Sequence, residues 1–384
     1  MKNFTFCNSV KVVFGANTIS ELSNLIPPDG RVMLTMGTGS IRKNGVYDAV
    51  MQSLSGRDII EFEGIEPNPE YDRCMEAVKI AKDNDVSFLL SVGGGSVLDA
   101  TKFIAAAIPF TGDDPWDILE KGASVDAALP IGCVLTLPAT GSEVNGNAVV
   151  SRRSRGQKLA FSTPLVMPSF SILDPGTTLT LSERQTANGI VDAFVHVMEQ
   201  YLTYDVNTPL QDRQAEAILS TLIELSPQVR KAPNDIDVRA NIMWCASNAL
   251  NTLIGCGTVQ DWSTHVIGHE ITALHGIDHA RTLAMVLPAI MQHQRKQKSG
   301  KILQYARRVW GIDGATEDEI IDACIARTKQ FFEETGCPTS LAAYKLTAAD
   351  CKSISSTLAA RGMMIGERGD IGEKEVDAII ALCA

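Results

Sequence analysis

Only six histidines occur in this 384-residue chain, and four of them, His265, His269, His275 and His279, fall within Gln260–Ala284, QDWSTHVIGHEITALHGIDHARTLA. His265 and His269 are four apart, so on a helix both imidazoles leave one face, one turn above the other. Gly276 can end that helix and fold the chain back before His279. A second pair at the same spacing, Asp192 and His196, sits in GIVDAFVHVMEQY. Two helices that each present a same-face pair of metal-ligand types can enclose one divalent cation. A lone helical histidine is more often a hydrogen-bonded or surface residue. The recurrence of the spacing in a histidine-poor chain is what points to a metal.

The elements around these residues fall into two textures. Strand-forming runs at Val10–Phe14, Arg31–Met36, Asp58–Glu63, Val86–Val92, Ile131–Leu137 and Phe170–Leu173 alternate with helical patterns at Thr18–Leu25, Ile41–Leu54, Glu70–Asn84 and Val97–Ile108. Strands separated by helices of that length predict a parallel α/β sheet with right-handed crossovers. After Asp174-Pro175 come amphipathic stretches and no strand: Arg184–Leu202, Leu210–Leu225, Val238–Ile254 and Thr282–Arg295, punctuated by Pro227, Pro233 and Gly311. We expect an α/β dinucleotide-binding domain over residues 1–180 and an all-α metal-binding domain over 181–384.

Composition narrows the partners. A net charge of −11 and a pI near 5.1 argue against nucleic acid or an anionic membrane, since both repel such a surface. The basic runs Arg152–Arg155 and Arg295–Lys298 read as a solvated loop and a helix face. Nine cysteines without a CxxC pair suit neither a disulfide framework nor a cysteine-rich zinc module, and they fit the reducing cytoplasm. MKNFTFCNSV lacks an apolar core, so no signal peptide is expected, and no apolar run is long enough to span a bilayer.

Three turns could take a nucleotide. SVGGGSVLDATK, Ser91–Lys102, reads as strand, glycine turn and helix start. Gly94 and Gly95 let the backbone approach a pyrophosphate, whose charge the helix N-terminus favours. Ser96 can cap the helix or donate to a phosphate, and Asp99 can reach a ribose. This is not the GxGxxG fingerprint, and such a turn is often structural. A second polar turn, Thr136–Glu143, offers the hydroxyls of Thr136, Thr140 and Ser142, although these can equally satisfy their own backbone. A third, Gly37-Thr38-Gly39-Ser40, ends its strand without the acid that NAD-preferring sites present to the adenosine ribose. Gly37, Gly39 and Ser40 are followed by Arg42 and Lys43, which favours NADP(H). Asn68, in the loop Pro67-Asn68-Pro69, is counted with the cofactor residues.

Together, GGGSVLD, ATGSEVN, DAFVHVMEQY and HVIGHEITALHGIDH resemble the iron-containing (type III) alcohol dehydrogenases over nearly all of the chain. The branch most resembled is that of the NADPH-dependent aldehyde reductases and butanol dehydrogenases. The resemblance implies a Rossmann-like N-terminal domain and an all-helical domain, with an active-site cleft between them. It assigns the metal to Asp192, His196, His265 and His279, and makes His269 the non-ligand histidine beside nicotinamide and substrate. It further implies a ribose-contacting lysine at Lys158, a nicotinamide-packing leucine at Leu179, and a homodimer or larger assembly. One departure stands out: where many members carry Pro-His-Gly around the last ligand, this chain has Asp278-His279-Ala280.

The chemistry expected is metal-assisted hydride transfer between NADP(H) and a small aldehyde or primary alcohol. Three neutral imidazoles and one carboxylate leave a divalent ion with net charge near +1, able to polarise a carbonyl or acidify an alcohol. Fe(II) and Zn(II) both suit such a set. His269 is the candidate for proton transfer, directly or through water. Glu199, one turn past His196, either orients a ligand or faces solvent. Other readings are an NAD-dependent polyol dehydrogenase of the glycerol-dehydrogenase type, a nucleotide-free metallohydrolase, and a sensor that binds without turnover. The turn Gly93–Ser96 separates the hydrolase from the rest, since a hydrolase needs no dinucleotide turn.

Overall fold

The computed structural model describes residues 1–384. In chain order come β1 (Lys11–Phe14), α1 (Leu22–Leu25), β2 (Arg31–Met36), α2 (Ser40–Lys43), α3 (Val46–Ser53), β3 (Ile59–Phe62), α4 (Tyr71–Asp83), β4 (Val86–Gly94) and α5 (Gly95–Ala107). Then follow α6 (Asp117–Glu120), β5 (Ile131–Leu137), β6 (Asn147–Arg152), β7 (Gln157–Ser162) and β8 (Phe170–Leu173). The rest is helical: α7 (Glu183–Tyr201), α8 (Pro209–Lys231), α9 (Ile236–Ala249), α10 (Ser263–His275), α11 (His279–His293), α12 (Ser299–Val309), α13 (Glu317–Thr335), α14 (Ser353–Ala360) and α15 (Glu373–Leu382).

The six-stranded sheet has the order β1-β8-β5-β4-β2-β3, and every pairing in it is parallel. Its central strands are apolar almost throughout because both faces are covered. Alternate side chains divide between two cores. Met33, Leu89, Ile131 and Cys133 pack with Phe103 and Ile104 of α5 and Ala77 and Val78 of α4. On the opposite face, Leu34, Leu90, Val92 and Val134 pack with Leu22 of α1 and Val46 and Val50 of α3. The helix leaving β2 and the helix leaving β4 therefore cover opposite faces. Between those adjacent strands the connections diverge, which opens a crevice at their carboxyl ends, where ligands bind in open α/β sheets.

The antiparallel hairpin β6–β7, with Val149 opposite Ala160, was not legible in the sequence. Its strands, NAVVSR and QKLAFS, are short and half polar, and the basic run supplies the tight turn Arg153–Arg155 between them. Pro227 does not end its helix as expected. Helix α8 continues to Lys231, because Leu222, Leu225, Ser226 and Val229 are buried on both sides of the proline and outweigh one lost backbone bond.

Two compact units result. One comprises Cys7–Leu181 with Asn234–Ser247, and the other comprises Met1–Phe6, Ser182–Pro233 and Asn248–Ala384. Most of α9 thus packs with the α/β unit. Met243 enters the Met33/Leu89 core, the Trp244 ring meets Phe14 edge-on at 5.7 Å, and Ser247 Oγ donates to Glu143 Oε1 at 2.5 Å. No helix is long and apolar enough to cross a membrane.

Candidate active site

Helix α7 begins with a capping box: Ser182 Oγ accepts from Gln185 N, and Gln185 Oε1 accepts from Ser182 N, both at 3.2 Å. Its C-terminal half is buried, and Asp192, His196 and Glu199 recur there at spacings of four and three. His196 Nε2 lies 3.8 Å from Asp192 Oδ1. The histidine-rich stretch forms α10, which carries His265 and His269 and ends at Gly276 in the left-handed conformation, φ 67°. The chain turns back through Asp278, and His279 opens α11. Asp278 Oδ2 accepts from Arg184 Nε at 2.7 Å and Asn188 Nδ2 at 2.8 Å, both on α7. Asp278 therefore ties the His279 turn to the helix that carries Asp192. Helices α10 and α11 also approach closely at Gly268, where a Cβ would come within 2.9 Å of Thr282 Oγ1 and Leu283 Cδ2.

Asp192, His265 and His279 offer ligand atoms that all lie within 4.8 Å of one another, with His279 Nε2 3.7 Å from Asp192 Oδ1. His196 stands just outside that tight group, its ring stacked on His265 at 4.7 Å. Ligands about 2.1 Å from a tetrahedral ion are about 3.4 Å apart. Separations of 3.7 and 3.8 Å close to that with shifts of a few tenths of an ångström. The donor set, imidazole nitrogen and carboxylate oxygen, fits Fe(II) or Zn(II).

Glu199 faces inward. Its Oε1 accepts from His265 N at 2.9 Å and from His265 Nδ1 at 3.0 Å, which sets the tautomer and leaves Nε2 as the lone-pair nitrogen. Burial, and then the neighbouring Asp261 carboxylate, push Glu199 up to about 8. A dication held by His265 would favour the ionised form. His269 lies beside this group, 4.7 Å from the His279 ring and 6.2 Å from that of His265. His275 is elsewhere, at the end of α10 with Nε2 3.7 Å from Cys351 Sγ. Spacing did not single out Trp262. It holds a left-handed backbone, φ 65°, and its ring lies 5.1 Å from His265 and 6.2 Å from His196. A strained non-glycine residue against two candidate ligands is a signal only a structure provides.

In the other unit the expected cofactor residues gather at the carboxyl ends of the strands. Gly37, Gly39 and Ser40 follow β2, Asn68 lies beyond β3, and Gly94, Gly95 and Ser96 close β4 and open α5. Thr136, Thr140 and Ser142 lie at and after the end of β5, and Leu179 lies beyond β8. Lys158, on β7, donates to Asn68 Oδ1 at 2.8 Å, which joins two residues singled out separately. Asp99 is already engaged: Oδ1 accepts from Ser142 Oγ at 2.7 Å and Oδ2 from Val149 N at 3.0 Å. Asp99 and Ser142 thus brace each other. The turn Gly37–Ser40 also needs correction, because β3 and the residue that follows it bring acids to it. Glu63 receives Arg42 at 3.2 Å, Glu61 receives it at 2.6 Å, and a Cβ on Gly39 would stand 3.4 Å from Glu63 Oε1. Acids from a neighbouring strand are invisible to a reading along one turn.

Comparison with known proteins gives the family. The model described as iron-containing alcohol dehydrogenase matches residues 9–175, and that of the Fe-containing alcohol dehydrogenase family, C-terminal, matches 186–382. The NADPH-dependent aldehyde reductase YqhD of Escherichia coli K12 is 52% identical over 374 residues, 97% of each chain. Its crystal structure superposes with a TM-score of 0.98 at 50% identity, covering 100% of this chain and 99% of that one. The NADP-dependent alcohol dehydrogenase 3 of Entamoeba histolytica is 40% identical over 89% of each chain. The crystal structure of NADH-dependent butanol dehydrogenase A from Thermotoga maritima matches with a TM-score of 0.96 at 34% identity, over 100% and 99% of the chains. Through both halves of its sequence and across its whole length, the chain belongs to the iron-containing alcohol dehydrogenase family.

Proposed function

We propose that this protein interconverts aldehydes and primary alcohols with NADP(H), using one divalent metal held by Asp192, His196, His265 and His279. The observation that carries this reading is the convergence of Asp192, His265 and His279, drawn from three helices, within 4.8 Å. When bound, the metal supplies Lewis acidity toward the substrate oxygen and NADP(H) supplies or takes up the hydride.

The chain's own residues do the rest. Glu199 holds the His265 ring in one tautomer, and Asp278 holds the His279 turn against α7. His269, partly exposed beside His279, exchanges the proton of the substrate oxygen through one of its ring nitrogens, directly or by way of a water. Residues 93–96 and 136–142 take the pyrophosphate and nicotinamide side of the cofactor, Asn68 and Lys158 a ribose, and Leu179 packs beside the nicotinamide. Preference for the 2′-phosphate rests on the likeness to relatives named as NADPH- and NADP-dependent rather than on Arg42, which Glu61 and Glu63 already hold.

The enzyme is proposed to be a cytoplasmic homodimer or larger homo-oligomer. Free cysteines throughout support the reducing compartment. The edge strand β1 pairs only with β8 and carries Phe14 42% exposed, which supports pairing with a second copy. Light scattering reads the mass directly. The functional test is a panel of aldehydes with NADPH on protein reconstituted separately with Fe(II) and Zn(II), preceded by fluorescence titration of NADPH. Turnover with either metal is expected. NADPH binding without reduction of any aldehyde would sink the reductase reading in favour of a sensor.

A further inference from the structure

A lysine is rarely taken wholly out of water unless oxygens answer its charge. Lys102, on α5, is 0% exposed. Its Nζ donates to Ser142 O at 2.7 Å, Ser142 Oγ at 2.8 Å, Asn145 O at 2.8 Å and Asn147 O at 2.8 Å, with Asn145 Oδ1 at 3.3 Å. Oxygens from three residues of one loop converge on a single ammonium, much as they would around a bound cation. Burial lowers Lys102 to about 8, so it keeps its proton at neutral pH. Asp99, one turn earlier on α5, accepts from Ser142 Oγ and Val149 N; burial raises its pKa, and the Lys102 ammonium and these two donors oppose that rise.

The loop so held follows directly on Thr140. A Cβ on Gly95 would come within 2.5 Å of Thr140 Oγ1, and one on Gly94 within 3.1 Å of Leu137 Cβ. The spacing between the glycine turn and the Thr140 turn is therefore set to less than a methyl group. Between Gly141 and Asn147 the backbone is a short turn with its carbonyls directed inward. Remove the ammonium and the carbonyls of Ser142, Asn145 and Asn147 each lose a charged donor, so the loop has reason to rearrange.

We infer that Lys102 is a positioning residue for cofactor binding: its ammonium stands in for a structural cation beneath residues 140–147 and fixes that loop against the glycine turn. The inference rests on the assignment of NADP(H) to these turns. The test uses the full-length, Zn(II)-reconstituted enzyme and NADPH as the probe. In Lys102→Met, the Kd and KM for NADPH rise about tenfold or more, while kcat at saturating NADPH changes far less and metal content stays whole. Lys301→Met removes another buried lysine, paired with Asp212 in the helical unit. It lowers the melting temperature and leaves the NADPH Kd unchanged, which separates positioning from general loss of stability. Should Lys102→Met fail to fold, Asn145→Ala decides, since it removes the Oδ1 that receives Lys102 and Asn147 N, and its NADPH Kd rises about threefold or more. Wild-type affinity in Asn145→Ala and in any folded Lys102→Met overturns the inference. Failure of the wild type to bind NADPH overturns the cofactor assignment itself.

Discussion

Replacing Glu199 by Gln should weaken metal binding without emptying the ligand set. In the structure one carboxylate oxygen takes two donors from His265, its backbone N–H at 2.9 Å and its Nδ1 at 3.0 Å. The first aligns the start of α10; the second fixes the tautomer and adds electron density to the ring. Glutamine keeps the shape and offers a carbonyl oxygen, so both bonds survive as neutral ones, and only the charge is lost. Partners that orient a metal-bound histidine contribute about 10- to 100-fold in metal affinity, or about 1.4–2.7 kcal/mol. Because the amide retains the geometry, the lower half of that range is expected. Competition between the apo-enzyme and a fluorescent zinc chelator at fixed pH measures it, with His293→Ala, at the far end of α11, as a control that should not move. An unchanged zinc Kd in Glu199→Gln, alongside metal loss in His265→Ala, would refute the claim that Glu199 acts through that ring.

Asp192→Ala and His279→Ala are expected to lose the metal and turnover while NADPH fluorescence titrates as in the wild type; full metal occupancy with activity in either variant would remove these residues from the ligand set. Gly268→Ala should destabilise the helical unit by about 1–3 kcal/mol, because the added methyl meets Thr282 and Leu283 at 2.9 Å, and urea midpoints report it. Asp114 gives a pH signature. Burial opposes its ionisation, but Tyr71 at 2.5 Å, Arg152 at 2.8 Å and the Trp116 amide at 2.9 Å hold it down to about 2. A lowered carboxylate stabilises the fold above its unfolded pKa of about 4, and that stability drains as pH falls toward 2. Asp114→Asn should therefore be about 1–2 kcal/mol less stable than the wild type at pH 7. The gap should close across that acid window, and a pH-independent gap would contradict the assignment.

Much of the site was legible because its geometry is local. Four residues make one helical turn, so Asp192/His196 and His265/His269 announce shared faces, and Gly276 announces the reversal that brings His279 back. The parallel sheet was equally readable, since central strands buried on both faces are apolar almost throughout, and glycine turns follow β2 and β4. Reading along the chain failed wherever partners come from afar. The acids near Gly39 arrive from β3 and the residue after it, the brace on Asp99 from Ser142, and α9 reaches Glu143 and Phe14, more than a hundred residues earlier.

The histidine spacing, the strand–turn–helix alternation and the charge balance were determined by the sequence alone, because each depends only on helical pitch, strand pleat or composition. Only the tertiary structure decided that Glu199 faces His265 rather than solvent, that Asp278 ties the His279 turn to α7, and that Lys102 lies beneath residues 140–147. Those three facts are pairings across 40 to 94 positions of chain, and which of many possible pairings forms is settled when the elements pack and buried polar groups must find partners.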